Sequence, residues 1–146
     1  MRLTTYTDYA RRLLMLLALK EGEPVTIKET AAQYGISKNH LMKIAHRLGQ
    51  AGMIETTRGR GGGLRLARDP SDITIGDIIR LTEEDFILVE CFDDDRSQCV
   101  IAPACQLKSA IAEARDAFLA VLDGYTLADL VAQPRALQRL LDEAAA

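Results

Sequence analysis

The stretch Thr26–Arg68, "TIKETAAQYGISKNHLMKIAHRLGQAGMIETTRGRGGGLRLAR", decides the fold. Thr26 has Glu29 three residues after it, the spacing of a capping box, and the helix it opens closes at Gly35. Ser37 caps a second helix, in which Leu41, Ile44, Ala45 and Leu48 form one apolar face. Two helices joined by a few residues that include glycine read as a helix-turn-helix. Met53–Arg58 and Leu64–Arg68 then alternate like strands, with glycines between them as a hairpin tip. A helix-turn-helix followed by a β-hairpin is a winged helix, so the expected class is mainly α with one small β-hairpin.

The flanks agree. Upstream, "TTYTDYARRLLMLLALKEG" repeats Tyr6, Ala10, Leu13, Leu14 and Leu17 at helical spacing and stops at Gly22. Downstream, Thr74 caps a short helix in "TIGDIIRLTEE". A longer one, "QLKSAIAEARDAFLAVLDG", places Leu107, Ile111, Ala114, Phe118 and Val121 or Leu122 along one stripe and ends at Gly124. "TLADLVAQ" reads as a last helical turn or two.

At 146 residues the chain is one domain or a small domain with an appendage, large enough for a real core. No run has the roughly 20 uninterrupted apolar residues of a membrane span. The apolar run near the N-terminus follows Asp8 and a helix start, with no small-residue cleavage site after it, so a folded helix in a cytoplasmic protein is expected. Net charge is −3, but it is unevenly spread. Residues 1–80 hold 13 Lys/Arg against 8 Asp/Glu, whereas residues 81–146 hold 5 against 13. An acidic average conceals a basic half, which suggests a face for a polyanion.

On the second helix of the pair, Ser37, Lys38, Asn39, His40, Lys43 and Arg47 lie at the start or on the polar face. There, short polar and basic side chains reach base edges and phosphates in a major groove. A solvated surface helix would look the same in isolation. The hairpin shifts the balance, because Arg58, Arg60, Arg65 and Arg68 crowd a glycine-rich tip of the kind that suits a minor groove. "RGRGGG" is not a phosphate loop, since no Lys-Ser/Thr follows its glycines. His40 and His46, the only histidines, read as structural or DNA-facing rather than as metal ligands.

All three cysteines fall in "CFDDDRSQCVIAPAC", from Cys91 to Cys105. A disulfide leaves one thiol over and a tetrahedral metal site lacks a ligand. In a reducing compartment, clustered thiols point to metal ligation or redox chemistry rather than a structural disulfide.

"MRLTTYTDYARRLL", "YGISKNHLMKIAHRL", "RGRGGGLRLAR" and "DGYTLADLV" together resemble the iron–sulfur winged-helix transcription regulators, over Met1 to about Val131. The resemblance implies a homodimeric DNA-binding regulator, not an enzyme. It divides the chain into a DNA-binding domain (1–80), a cluster-binding loop region (81–106) and a dimerisation helix with the C-terminal segment (107–146). It also implies an iron–sulfur cluster, 4Fe–4S in preference to 2Fe–2S, held by Cys91, Cys99, Cys105 and one further residue. Thiolates are the natural ligands of such clusters. One branch of the family uses a histidine three residues after the last cysteine, and here that position is Lys108. The nitric-oxide-sensing branch uses an aspartate near the N-terminus that reaches the partner subunit's cluster, and Asp8 stands where that pattern places it. Carboxylate oxygen is a harder, more weakly held ligand for iron than thiolate, which leaves a corner open to nitric oxide. Asp8 has a competing structural role, because Thr5 and Asp8 have the spacing of an N-cap and its N3 residue.

The implied function is a repressor that binds operator DNA through Ser37, Lys38, Asn39, His40, Lys43, Arg58 and Arg60 and releases it when nitric oxide attacks the cluster. "RLTEEDFILVECFDDD" also resembles the iron-sensing regulators of the family, so iron or cluster status stands as the alternative signal. A redox or electron-transfer protein using the same cysteines would leave the wing and the basic half without a role.

Overall fold

Side-chain caps set where the first helices begin in this computed structural model, whose described residues are 2–93 and 95–145. Helix α1 (Thr5–Leu19) starts at Thr4, whose hydroxyl accepts the Thr7 N–H at 3.3 Å. Helix α2 (Ile27–Tyr34) starts at the expected capping box. The Thr26 hydroxyl accepts from the Glu29 N–H at 3.1 Å, and the Glu29 carboxylate accepts from the Thr26 N–H at 2.6 Å. Those bonds from Thr26 favour the ionised carboxylate and hold Glu29 below its usual range. Helix α3 (Lys38–Gln50) begins at Ser37, which accepts the His40 N–H at 3.2 Å.

Strands β1 (Ile54–Thr57) and β2 (Gly63–Leu66) pair antiparallel, Ile54 opposite Leu66 and Thr57 opposite Gly63. They are shorter than expected from the alternation, and a third short rung joins them. The Val25 N–H donates to the Leu64 carbonyl at 3.0 Å, and the Leu64 N–H returns to the Val25 carbonyl at 2.8 Å. A one-residue rung has no alternation to betray it in sequence. Gly63 makes it possible, because a Cβ there would come within 2.9 Å of the Val25 carbonyl oxygen.

Helix α4 (Ile75–Thr82) opens on a second capping box, Thr74 with Asp77. Helices α5 (Gln106–Asp123), α6 (Leu127–Leu130) and α7 (Pro134–Ala145) follow. The sequence reading stopped at α6. Yet "PRALQRLLDEAA" is amphipathic, with proline in the first helical position, and α7 folds back onto α2 beside Met15, Leu19 and Tyr34.

One core holds these pieces together. Leu13, Leu14 and Leu17 of α1, Ile44 and Leu48 of α3, Leu64 of the hairpin, Ile73, Ile78 and Leu127 are all buried in a single cluster. Full burial of each such side chain is worth about 1.5–3 kcal/mol. The C-terminal end of α5 is stitched to the same body. The Ile75 N–H donates to the Tyr125 carbonyl and the Leu127 N–H to the Ile73 carbonyl, both at 2.8 Å. Arg80 forks onto Asp123 at 2.5 and 2.8 Å, a pairing that holds the Asp123 carboxyl below its usual range. Gly76 leaves room for that fork, since a Cβ would sit 1.8 Å from Asp123 Oδ1.

The rest of α5 is bare. None of its 18 residues is buried, and Leu107 and Val121 are 65% and 61% exposed. Its apolar residues split into two faces. Phe118, Leu119 and Leu122 are half-buried towards α1 and α4, while Leu107, Ala110, Ala114, Ala117 and Val121 all stay exposed. The steps of three and four along the second set are those of a helix–helix seam.

Candidate functional site

Helix α3 turns Leu41, Ile44 and Leu48 into the core, which leaves Lys38, Asn39, His40, Lys43, His46 and Arg47 exposed on its other side. Ser37 is exposed too, with its hydroxyl engaged as the N-cap. Two tyrosines of α1 steady the helix. The Tyr6 hydroxyl donates to the Lys43 carbonyl at 3.4 Å, and the Tyr9 and His40 rings lie 6.3 Å apart. His40 is therefore both exposed and braced. Met42 is 55% exposed on the same face.

At the wing tip Arg58 and Arg60 are exposed, with Gly59 and Gly61 at φ +96° and +77° carrying the turn between the strands. Glycine adopts those angles without the steric cost other residues meet. Arg65, counted with the tip arginines, belongs elsewhere. It lies half-buried opposite Glu55 in the ladder, with its Nε buried and unpartnered. Arg68 is exposed beyond β2.

The cysteine loop runs between α4 and α5. Cys91 falls in one 3₁₀ turn (Glu90–Phe92), a second (Ala102–Ala104) precedes Cys105, and all three thiols are free and half-buried. The loop is tied at three places. The Glu90 carboxylate accepts from the Gln98 N–H at 2.6 Å, Asp93 accepts from the Asp95 and Arg96 N–H groups, and the Arg115 guanidinium lies 5.1 Å from the Phe92 ring. Cys105 occupies the N-cap position of α5 without making a capping bond, so its sulfur is uncommitted at the positive end of a helix dipole. Three uncommitted thiols match an iron–sulfur cluster in donor chemistry. Among the described residues, however, no three Cys, His, Asp or Glu side chains stand together as a metal site.

Asp8 is half-buried and engaged on both oxygens, with Arg11 at 2.5 Å and Arg12 at 2.8 Å. The capping box considered for Thr5 and Asp8 is not present. Thr4 is the N-cap and Thr7 its N3 partner, so Asp8 falls one position past that role. Asp8 instead lines a cleft of about 440 Å³ between α1, α4 and α5, with Leu3, Ile75, Ile78, Phe118 and Leu122.

Sequence inspection gave no role to Glu83. Its carboxylate accepts from the Thr4 N–H at 2.8 Å, the Thr4 hydroxyl at 3.1 Å and the Thr7 hydroxyl at 2.5 Å, and Thr7 meets Thr82 at 2.7 Å. Thr7 and Thr82 are buried, so the start of α1 is welded to the end of α4, from which the cysteine loop departs. The spacing from Thr4 to Glu83 is too long for any local pattern to reveal.

Comparison with known proteins draws the two halves together. A family model described as "Rrf2: Iron-dependent Transcriptional regulator" matches residues 3–133. The "HTH-type transcriptional regulator NsrR" of Bacillus subtilis (strain 168) is 56% identical over 142 residues, 97% of either chain. Among solved structures, T. potens IscR has a TM-score of 0.71 at 31% identity, covering 90% of this chain and 86% of its own. CymR, the global cysteine regulator of B. subtilis, has a TM-score of 0.71 at 34% identity, covering 90% and 97%.

Proposed function

This chain belongs to the Rrf2 family of transcriptional regulators, and from that premise we propose a homodimeric repressor that holds an iron–sulfur cluster and releases operator DNA in response to nitric oxide. Regulation of transcription, rather than enzymatic turnover, is the activity its relatives are named for. No helix among the described residues is long and apolar enough to cross a membrane.

We assign residues 1–80 to DNA binding. The exposed face of α3, with Lys38, Asn39 and Lys43, meets the major groove, and Ser37 and His40 address it from the first turn. Arg58 and Arg60 carry the wing to the neighbouring minor groove. Residues 81–106 form the cluster-binding region, and residues 107–146 the dimerisation unit. The bare seam Leu107–Ala110–Ala114–Ala117–Val121 supports the dimer, because this exposed apolar face packs on nothing in its own chain and would be covered by a second one.

Cys91, Cys99 and Cys105 would hold the cluster, 4Fe–4S in preference to 2Fe–2S, with Asp8 of the second subunit as fourth ligand. When bound, it supplies iron reactive towards nitric oxide. The observation that carries the nitric-oxide branch is the pairing of Lys108, where the other branch needs histidine, with an Asp8 that opens onto a cleft. Iron status is a second reading, favoured by the words "Iron-dependent" in the matched model and by the sequence around Cys91.

The test is anaerobic purification with visible spectroscopy and operator binding, each before and after nitric oxide. Nitric oxide should bleach the cluster bands and release the DNA. Release on iron chelation with indifference to nitric oxide would favour the second reading. Specific binding should also fall steeply with salt, as phosphate contacts require.

A further inference from the structure

Helix α3 carries four large apolar side chains, and the core takes only three of them. Leu41, Ile44 and Leu48 are fully buried, whereas Met42 is 55% exposed. Single exposed apolar residues are common on protein surfaces, so exposure alone says little. The surroundings of Met42 say more. Lys38 and Asn39 stand one turn before it and His46 one turn after, all exposed, with Lys43 beside it. Met42 is thus an apolar spot within the polar and basic face assigned above to the major groove. We propose that Met42 is a specificity-determining residue that reads thymine in the operator, packing its thioether end on the C5-methyl group. The proposal rests on the DNA-binding reading above and deepens it.

The chemistry of the groove selects the base. Every base pair presents hydrogen-bond donors or acceptors there, but the thymine methyl is the one apolar group on offer. A thioether has no donor and only a weak sulfur acceptor, so it gains little from the polar edges. It gains contact, and the release of water from two apolar surfaces, by meeting the methyl. Methionine suits that task, because its unbranched, polarisable chain adjusts to the shape it meets. The backbone beneath it is held in place, since the Tyr6 hydroxyl donates to the carbonyl of the next residue, Lys43, at 3.4 Å. Its neighbours fit the same reading. Asn39 lies three residues earlier on the same face, and asparagine pairs with the N6 and N7 edge of adenine, so the two side chains together suit an A·T-rich step. Lys38 and Lys43 supply charge for the phosphates, which carry no sequence information, and leave discrimination to Met42 and Asn39. A protein partner would need a wider apolar patch, and Met42 has no exposed large apolar neighbour on α3.

The experiment uses full-length, cluster-loaded protein, wild type and Met42→Ala in parallel, to select sites from randomised duplex DNA. The variant should lose a thymine preference at one position of each half-site and keep the preferences elsewhere. Thymines of the wild-type site are then replaced one at a time by deoxyuridine, which lacks only the methyl group. At the position read by Met42 the replacement should weaken wild-type binding about fourfold, the worth of one buried methyl, and leave Met42→Ala binding unchanged. A merely structural role for Met42 would weaken both DNAs alike and leave the methyl effect in place. Met42→Leu should retain sensitivity to the methyl and Met42→Gln should lose it, which guards against a misfolded alanine variant. Selection of the same site by wild type and Met42→Ala, or an equal methyl effect in the two, would overturn the proposal. Wild-type protein that selects no sequence at all refutes the DNA-binding reading instead.

Discussion

Asp8 has two competing claims on its carboxylate, the paired guanidiniums of Arg11 and Arg12 and the ligand role proposed for it across the dimer. The ion pairs are about one-third exposed, and pairs of that kind contribute about 0.2–1 kcal/mol each. Asp8→Ala should therefore cost little stability, within about 1 kcal/mol in a urea melt of the apo protein. Its cluster spectrum and its reaction with nitric oxide should both change. An unaltered spectrum would remove Asp8 from the ligand set and move the iron-sensing reading ahead. Asp8→Cys should slow cluster loss, because a fourth thiolate binds iron more firmly than a carboxylate. At the wing, Arg60→Ala should weaken operator binding about tenfold in a gel shift while leaving the cluster bands intact. Much at this scale was legible in the sequence: Thr26, Ser37 and Thr74 cap as their spacing indicates, and the α3 and wing-tip residues are exposed as expected. Arg65 and Glu83 were not legible. Each takes its place from a partner on another element, one opposite Glu55 across the ladder and one at the distant start of α1.

The elements show the same division between local and distant causes. Helices α1 to α4 follow from caps and apolar period, and α5 from its apolar period alone, which are properties of short runs of consecutive residues. The Val25 rung and the return of α7 onto α2 depend on surfaces that exist only after the core has formed. The α5 stripe was half legible. Its apolar positions were identified, but only the folded chain separates the cleft-facing set from the exposed seam. The clip between α4 and α5 yields a prediction with a definite sign. The Asp123 carboxyl is lowered in the folded protein by its hydrogen bonds from Arg80. Its contribution is thus present above the ordinary carboxylate range and lost as pH falls through the lowered value. Carboxyl-detected NMR should find Asp123 titrating below a reference aspartate, and Arg80→Met should return it to the ordinary range. Gly76→Ala should break the same clip at neutral pH, because its Cβ would occupy the place of Asp123 Oδ1.

Across the whole molecule, the proposed function requires that the state of the cysteine loop alter the stance of α3 and the wing. Among the described residues, two mechanical links leave the loop. One runs through Cys105 and the Phe92–Arg115 contact into α5, and then through the Arg80–Asp123 clip into α4. The other runs back along the chain to Glu83 and across to Thr4 and Thr7 at the head of α1, which packs against α3. Both end on the one core, so under the proposed function a shift of α1 or α4 would reach α3 through close packing rather than be absorbed in a hinge. Cluster-loaded protein should bind operator more tightly than apo protein by about 1–3 kcal/mol, or roughly 5–150-fold at one salt concentration. Position between two sites does not establish coupling, and a double-mutant cycle does. Gly76→Ala and Glu83→Gln should each reduce the ratio of loaded to apo affinity while leaving apo affinity nearly unchanged. If the two links are independent, their effects on the logarithm of that ratio should add. If both variants keep the full ratio, the signal bypasses α4, and the remaining route is a rearrangement of the two subunits about α5 itself. Small-angle scattering of loaded and apo dimers would then reveal a change of shape that the clip model does not require.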